Sequence, residues 1–166
     1  KYLNTKLLPV PFIDNNVFHS DIIWFFIGKN LDALDLEGRP EHTDSVTHDG
    51  TWHYQLSGEK KWYIRPTEKL IEKLIKKDNN ENKSKNDITL DSKMMIKCLP
   101  GDILLLNTKL WWHHTGIPCT KDANDEVSIS YARDIYFHKP NDTTLNDMTN
   151  VDAIYASKSI KCGDIV

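Results

Sequence analysis

The sequence predicts an all-β domain, and three observations carry that prediction. Most apolar segments are short, aromatic or β-branched, and Gly, Pro, Asn and Asp punctuate them at close intervals. Only one stretch, residues 67–77, has helical periodicity. The length of 166 residues, with 39% hydrophobic and 27% charged side chains, suits a single globular unit able to bury a core. Many short strands separated by turns imply a sandwich or a barrel.

Taken in order, Ile22-Ile23-Trp24-Phe25-Phe26-Ile27 reads as a strand buried on both faces. Thr51–Leu56 alternates, Ser57-Gly58-Glu59 turns, and Lys61–Ile64 extends again, which is a hairpin signal. In residues 67–77, Leu70, Ile71, Leu74 and Ile75 fall on one helical stripe, read as packed on the sheet. Thr67 serves as N-cap, and Lys76 and Lys77 favour the carbonyl end. Residues 78–87 are Asn- and Lys-rich with no apolar side chain, so they read as a mobile surface insertion. Ile103–Leu106 follows the Pro100-Gly101-Asp102 turn as a strand, and Val127–Phe137 holds another alternating stretch.

Charge and cysteine usage exclude several classes. Lys and Arg number 21 against 24 Asp and Glu, a net of −3, so direct nucleic-acid binding is not predicted. The apolar runs are too short to span a bilayer, and no membrane association is predicted. Three cysteines, Cys98, Cys119 and Cys162, lack C-x-x-C spacing. This argues against a disulfide framework and for a reducing intracellular compartment, cytoplasm or nucleus. The chain opens at Lys1 without a signal segment, which reads as a piece of a longer protein.

Chemistry enters at Glu41-His42-Thr43-Asp44. In extended chain, residues i and i+2 point to one side, so His42 and Asp44 can converge on an ion. A second histidine comes from Leu110-Trp111-Trp112-His113-His114, downstream of the Gly101-Asp102 strand. Two imidazoles and one carboxylate on one side of a metal form the facial triad of non-haem Fe(II), leaving positions for substrates and oxygen. His48 and His53 lie close enough to compete. Asp49, adjacent to His48, points the opposite way on a strand, so that pair chelates poorly. His53 shares a face with Thr51 and Gln55 and reads as lining the same cavity without binding the metal. His19, His114 and His138 read as ordinary surface or core histidines.

The motifs, in order, are His42-Thr43-Asp44, Gln55-Leu56-Ser57-Gly58-Glu59-Lys60-Lys61-Trp62, Pro100-Gly101-Asp102-Ile103-Leu104 and Trp111-Trp112-His113. In these the sequence resembles the JmjC (jumonji-C) oxygenases of the cupin superfamily, and most closely the small JmjC protein hydroxylases. The resemblance implies a double-stranded β-helix, or jelly roll, over residues 1–150, within which the helix read around 67–77 is a short insertion. It also implies a metal site of His42, Asp44 and His113. The implied chemistry is 2-oxoglutarate-dependent oxidation with Fe(II) as cofactor and O2 as cosubstrate, releasing succinate and CO2. The far carboxylate of 2-oxoglutarate needs a buried cation. Lys60, at the matching hairpin position, is the first candidate, and Arg133, 20 residues after His113, is the second. Thr51 matches a polar position near 2-oxoglutarate.

The chain departs from the family in its longer Ser45–Gly50 loop, in Asn107-Thr108-Lys109 beside the distal motif, and in Arg39-Pro40-Glu41 before His42. A protein or peptide substrate is implied, hydroxylated on a side chain; the oligomeric state is left open. N-methyl-lysine demethylation, a non-catalytic metal-binding cupin and a cupin with another divalent metal are the alternatives. Residues 151–166 form a C-terminal extension. It is similar to the opening strands of SET methyltransferase domains and of SAF-type modules, and reads alternatively as a closing hairpin.

Overall fold

The computed structural model describes residues 18–81, 91–119, 127–136 and 155–157. In chain order these form β1 (Phe18–His19), β2 (Trp24–Gly28), β3 (Leu36–Glu37), β4 (Gly50–Ser57), β5 (Lys60–Pro66), the helix α1 (Glu68–Glu81), β6 (Met94–Cys98), β7 (Ile103–Leu106), β8 (Trp111–Ile117), β9 (Ser128–Tyr136) and β10 (Tyr155–Ser157). The strands make two antiparallel sheets. The larger runs β1-β9-β4-β7-β10, with β2 also paired to β9; the smaller runs β3-β8-β5-β6. The all-β expectation agrees with this. No helix among the described residues is long and apolar enough to cross a membrane.

The expected hairpin is not formed. β4 has β9 on one side and β7 on the other, while β5 lies between β8 and β6. With both hydrogen-bonding edges of β4 occupied, the Ser57-Gly58-Glu59 turn instead carries the chain from one sheet to the other. Buried Gln55 holds this corner: its amide nitrogen donates to the Ser57 carbonyl at 2.7 Å and to Ser128 Oγ at 3.0 Å. Gly58 has φ of +61°, and a Cβ there would stand 2.9 Å from the backbone of Ser128. Gly58→Ala is therefore expected to destabilise the fold by about 2–4 kcal/mol, the sum of left-handed strain and a clash with main chain that cannot step aside. Urea denaturation measures it.

The two sheets face each other across a core of Leu104 and Leu106 from the larger sheet and Trp62, Ile64, Cys98 and Trp111 from the smaller, closed by Leu70 of α1. Strand alternation puts Trp52, Tyr131 and Ile135 on the other face of the larger sheet, in a second cluster with Ile103. The segment expected to be buried on both faces is instead an exposed edge: Trp24 is 52% and Ile27 71% exposed. Among the described residues β2 has β9 as its sole strand neighbour, so one long side of it stays uncovered.

Thr67 caps α1 as expected, its Oγ1 accepting from the Leu70 N–H at 3.3 Å and donating to the Leu110 carbonyl at 2.9 Å. The buried stripe is narrower than expected. Leu70 is fully buried and Leu74 packs on the core, but Ile75 is 55% exposed. The helix also continues through residue 81, so the start of the expected 78–87 insertion is helical. Asp78-Asn79-Asn80-Glu81 contains neither Gly nor Pro to stop it, and Lys76 and Lys77 consequently lie inside the helix. Residues 82–87 lie outside the described residues. Of the 151–166 extension, Tyr155–Ser157 pairs with β7; the remainder, with the resemblance drawn for it, lies outside them too.

Candidate metal centre

The chain from β3 onward runs beside β8 and delivers two of the three expected ligands to one another. After β3, the Gly38 N–H donates to the Thr115 carbonyl at 2.8 Å. Arg39-Pro40-Glu41 then bulges opposite the single residue His114, and His42 rejoins β8 at His113 through paired backbone hydrogen bonds of 2.9 and 3.0 Å. Pro40 suits this gap because it has no N–H for a ladder to satisfy. The bulge is tied down by Arg65, whose Nε and Nη2 both donate to Glu41 Oε2, at 2.9 and 2.7 Å. That contact holds the Glu41 carboxyl below its usual range. Two residues on, the Asp44 N–H donates to the Thr108 carbonyl at 2.9 Å, which turns the carboxylate towards both rings.

His42, Asp44 and His113 each offer a donor atom, and these atoms all lie within 4.8 Å of one another. Asp44 stands 3.6 Å from His42 Nε2 and 3.9 Å from His113 Nε2. In both rings Nδ1 faces a backbone carbonyl: Pro40 O at 2.7 Å for His42, Trp111 O at 3.1 Å for His113. A carbonyl can only accept, so each Nδ1 carries the hydrogen and each Nε2 presents a lone pair to the shared space. This is the outer support that metal-binding histidines need. Burial pushes His113 below its ordinary pKa, which keeps it neutral and able to ligate. The donor set fits a divalent ion that accepts nitrogen and carboxylate together. His114, the other half of the pair, turns away: its Nε2 is 3.7 Å from Glu37 and its ring stacks on Tyr63 at 4.7 Å.

The triad opens onto a cavity of about 640 Å³ between the sheets, whose lining also includes Thr51, His53, Lys60 and Trp62. Lys60 is 8% exposed, and its Nζ donates to Ser130 Oγ at 3.2 Å and lies over the Phe26 ring at 4.5 Å. Burial lowers its pKa to about 8. Across the sheet Cys98 pairs with it in register, but burial pushes that thiol up to about 11, so it carries no countercharge. A cation so placed suits an incoming anion. Thr51 lines the cavity, but its hydroxyl is engaged: it donates to Asp134 Oδ1 at 3.4 Å and meets His48 Nε2 at 3.1 Å. Arg133 is not brought to the cavity. It projects from the far face of the larger sheet and donates through Nε and Nη2 to the Ser20 carbonyl, at 3.1 and 2.6 Å.

Alternation along β9 explains that outcome. Ala132 and Asp134 face the cavity, so Arg133 between them cannot. His48, weighed above only with Asp49, instead faces Asp134 at 3.7 Å on the cavity wall, and Asp134 is not among the expected site residues. The signal was present, since choosing the Ala132 face as inward brings Asp134 with it. His53 lines the cavity, as its shared face with Thr51 and Gln55 predicts. Compared with protein-family models, curated proteins and solved structures, the chain has no significant match.

Proposed function

We propose that this chain is an Fe(II)- and 2-oxoglutarate-dependent dioxygenase that hydroxylates a protein side chain. The observation that carries the reading is the combination within one cavity of a two-histidine, one-carboxylate triad and a buried lysine without a carboxylate partner among the described residues. A triad alone suits several metals, whereas a triad beside an anion site suits a metal that shares its coordination with an acidic cosubstrate. The strand order supports reading the two sheets as a jelly roll. Consecutive strands β2 to β5 alternate between the sheets, and β9 and β8 return between β2 and β4 and between β3 and β5.

Bound at the triad, Fe(II) would supply the activation of O2 that couples decarboxylation of 2-oxoglutarate to insertion of one oxygen atom into a C–H bond. The overall balance is substrate, 2-oxoglutarate and O2 to hydroxylated substrate, succinate and CO2. His42, Asp44 and His113 hold the ion on one side and leave the cavity side for ligands. Lys60 receives the far carboxylate, while Phe26 and Trp62, packed beside its Nζ, limit the water that would compete for it. The exposed Trp24 and Arg39 on the cavity lining leave room for a protein substrate to approach.

The test is an anaerobic titration with Fe(II) and then 2-oxoglutarate. A visible iron-to-keto-acid charge-transfer band is expected from the wild-type protein. Folded, iron-loaded protein without the band would overturn the oxygenase reading and favour a metal-binding cupin used as a binding module.

A further inference from the structure

We propose that His53 is the second hydrogen-bond donor to the anion that Lys60 binds, so that the two side chains together form the carboxylate end of the cavity. The inference rests on the oxygenase reading for the identity of that anion, 2-oxoglutarate. It goes beyond that reading by giving a role to a histidine outside the triad.

Placement comes first. His53 lies at the middle of β4, in register with Leu104 of β7 on one side and Ala132 of β9 on the other, so it is fixed in the centre of the larger sheet. Lys60 projects from β5 of the facing sheet. The two meet at the same aromatic walls. The His53 ring is 5.4 Å from that of Phe26 and 4.6 Å from that of Trp62. Lys60 Nζ is 4.5 Å from the Phe26 centroid and 5.6 Å from the Trp62 centroid. Both polar groups thus enter one recess walled by one pair of rings.

Hydrogen bonding comes second. His53 is 9% exposed, and its Nδ1 is buried with no hydrogen-bond partner. Buried polar atoms are nearly always paired, so an orphan on a residue that lines a cavity marks a place where a ligand atom, met by a small turn of the ring, completes the bonding. Burial first, then the neighbouring ammonium of Lys60, depress the imidazole well below its ordinary pKa, so the ring is neutral. A neutral ring has one N–H to give and does not repel the ammonium beside it. A carboxylate has two oxygens to satisfy: Lys60 takes one and the His53 Nδ1–H the other. Phenylalanine here would keep the wall and lose the donor, so the sequence has placed a polar atom where packing alone does not require one.

The experiment is calorimetric titration of 2-oxoglutarate into Zn(II)-loaded protein, where no turnover occurs. His53→Phe keeps the ring and removes both nitrogens, and His53→Asn returns an N–H near the Nδ1 position. The expected result is binding about 10-fold or more weaker in His53→Phe, the effect of one hydrogen bond to a charged group. Asn should recover part of the loss, with Zn(II) affinity unchanged in both variants. Should either variant fail to fold, the wild-type His53 ring nitrogens carry the test by ¹⁵N resonance: Nδ1 shifts on adding 2-oxoglutarate if the bond forms and stays in place if it does not. Equal binding by wild type and His53→Phe, or an unmoved resonance with ligand bound, overturns the role of His53 alone. A wild-type protein that binds Zn(II) but no 2-oxoglutarate overturns the oxygenase reading and this inference with it.

Discussion

Alanine in place of His113 is expected to weaken Fe(II) binding by at least about 100-fold, because even the outer partners of metal ligands are worth about 10–100-fold. His42→Ala and Asp44→Ala should fall in the same range. His114→Ala should leave affinity within about twofold, because a ring stacked on Tyr63 and facing Glu37 gives up no donor that an ion at the triad uses. Adjacent histidines with opposite effects are the signature, since a general loss of fold would affect both. His113 also shares backbone hydrogen bonds with His42, and alanine preserves these. Its melting temperature without metal should therefore stay near that of the wild type, while metal-induced stabilisation disappears. Metal-dependent thermal shift separates the two effects in one measurement.

Lys60→Met should have an equally large effect of a different kind. On the proposed reading, removing this buried ammonium is expected to weaken 2-oxoglutarate binding by about 100-fold, with Fe(II) affinity little changed. Stability should hold level or rise, because a buried cation without a carboxylate partner is costly and a methionine of similar reach is not. The wild-type pH dependence follows from the depressed pKa of about 8. Lys60 is charged below that value, so anion affinity is full there and falls as pH rises through it. Stability moves the other way. Between about 8 and the ordinary lysine value of about 10.4, the unfolded chain holds a proton that the folded chain has lost, so Lys60 adds stability as pH rises through that window. Lys60→Met should remove both slopes.

The His42 and Asp44 half of the triad was legible because it depends on short-range geometry, extended chain putting i and i+2 on one side; His113, far along the chain, was chosen through the resemblance of its Trp-Trp-His motif. The strands β7 and β9 were legible for the same kind of reason, whereas Lys60 was singled out through the resemblance of its motif. What failed were questions of partnership. Thr51–Ile64 has every local mark of a hairpin, yet strand pairing is decided by which edges are free, and β4 had none left for β5. Arg133 was misplaced because both faces of β9 carry buried side chains, so its pattern does not say which one meets the cavity. The run from Ile22 to Ile27 is apolar enough for an interior strand but occupies an edge, a distinction that lies in topology and not in composition.

The backbone pair between His42 and His113 has a kinetic consequence. Two jaws of the claw are set at their span by main-chain hydrogen bonds, and each imidazole already holds its required tautomer against a carbonyl. The backbone that carries these two ligands is in place before an ion arrives, and the three side chains need only close in from separations such as 3.6 and 3.9 Å. The rate of loading should then track how quickly the arriving ion sheds its own water, fast for labile ions and slow for nickel. One metal should also exchange for another while the sheets around them stay intact.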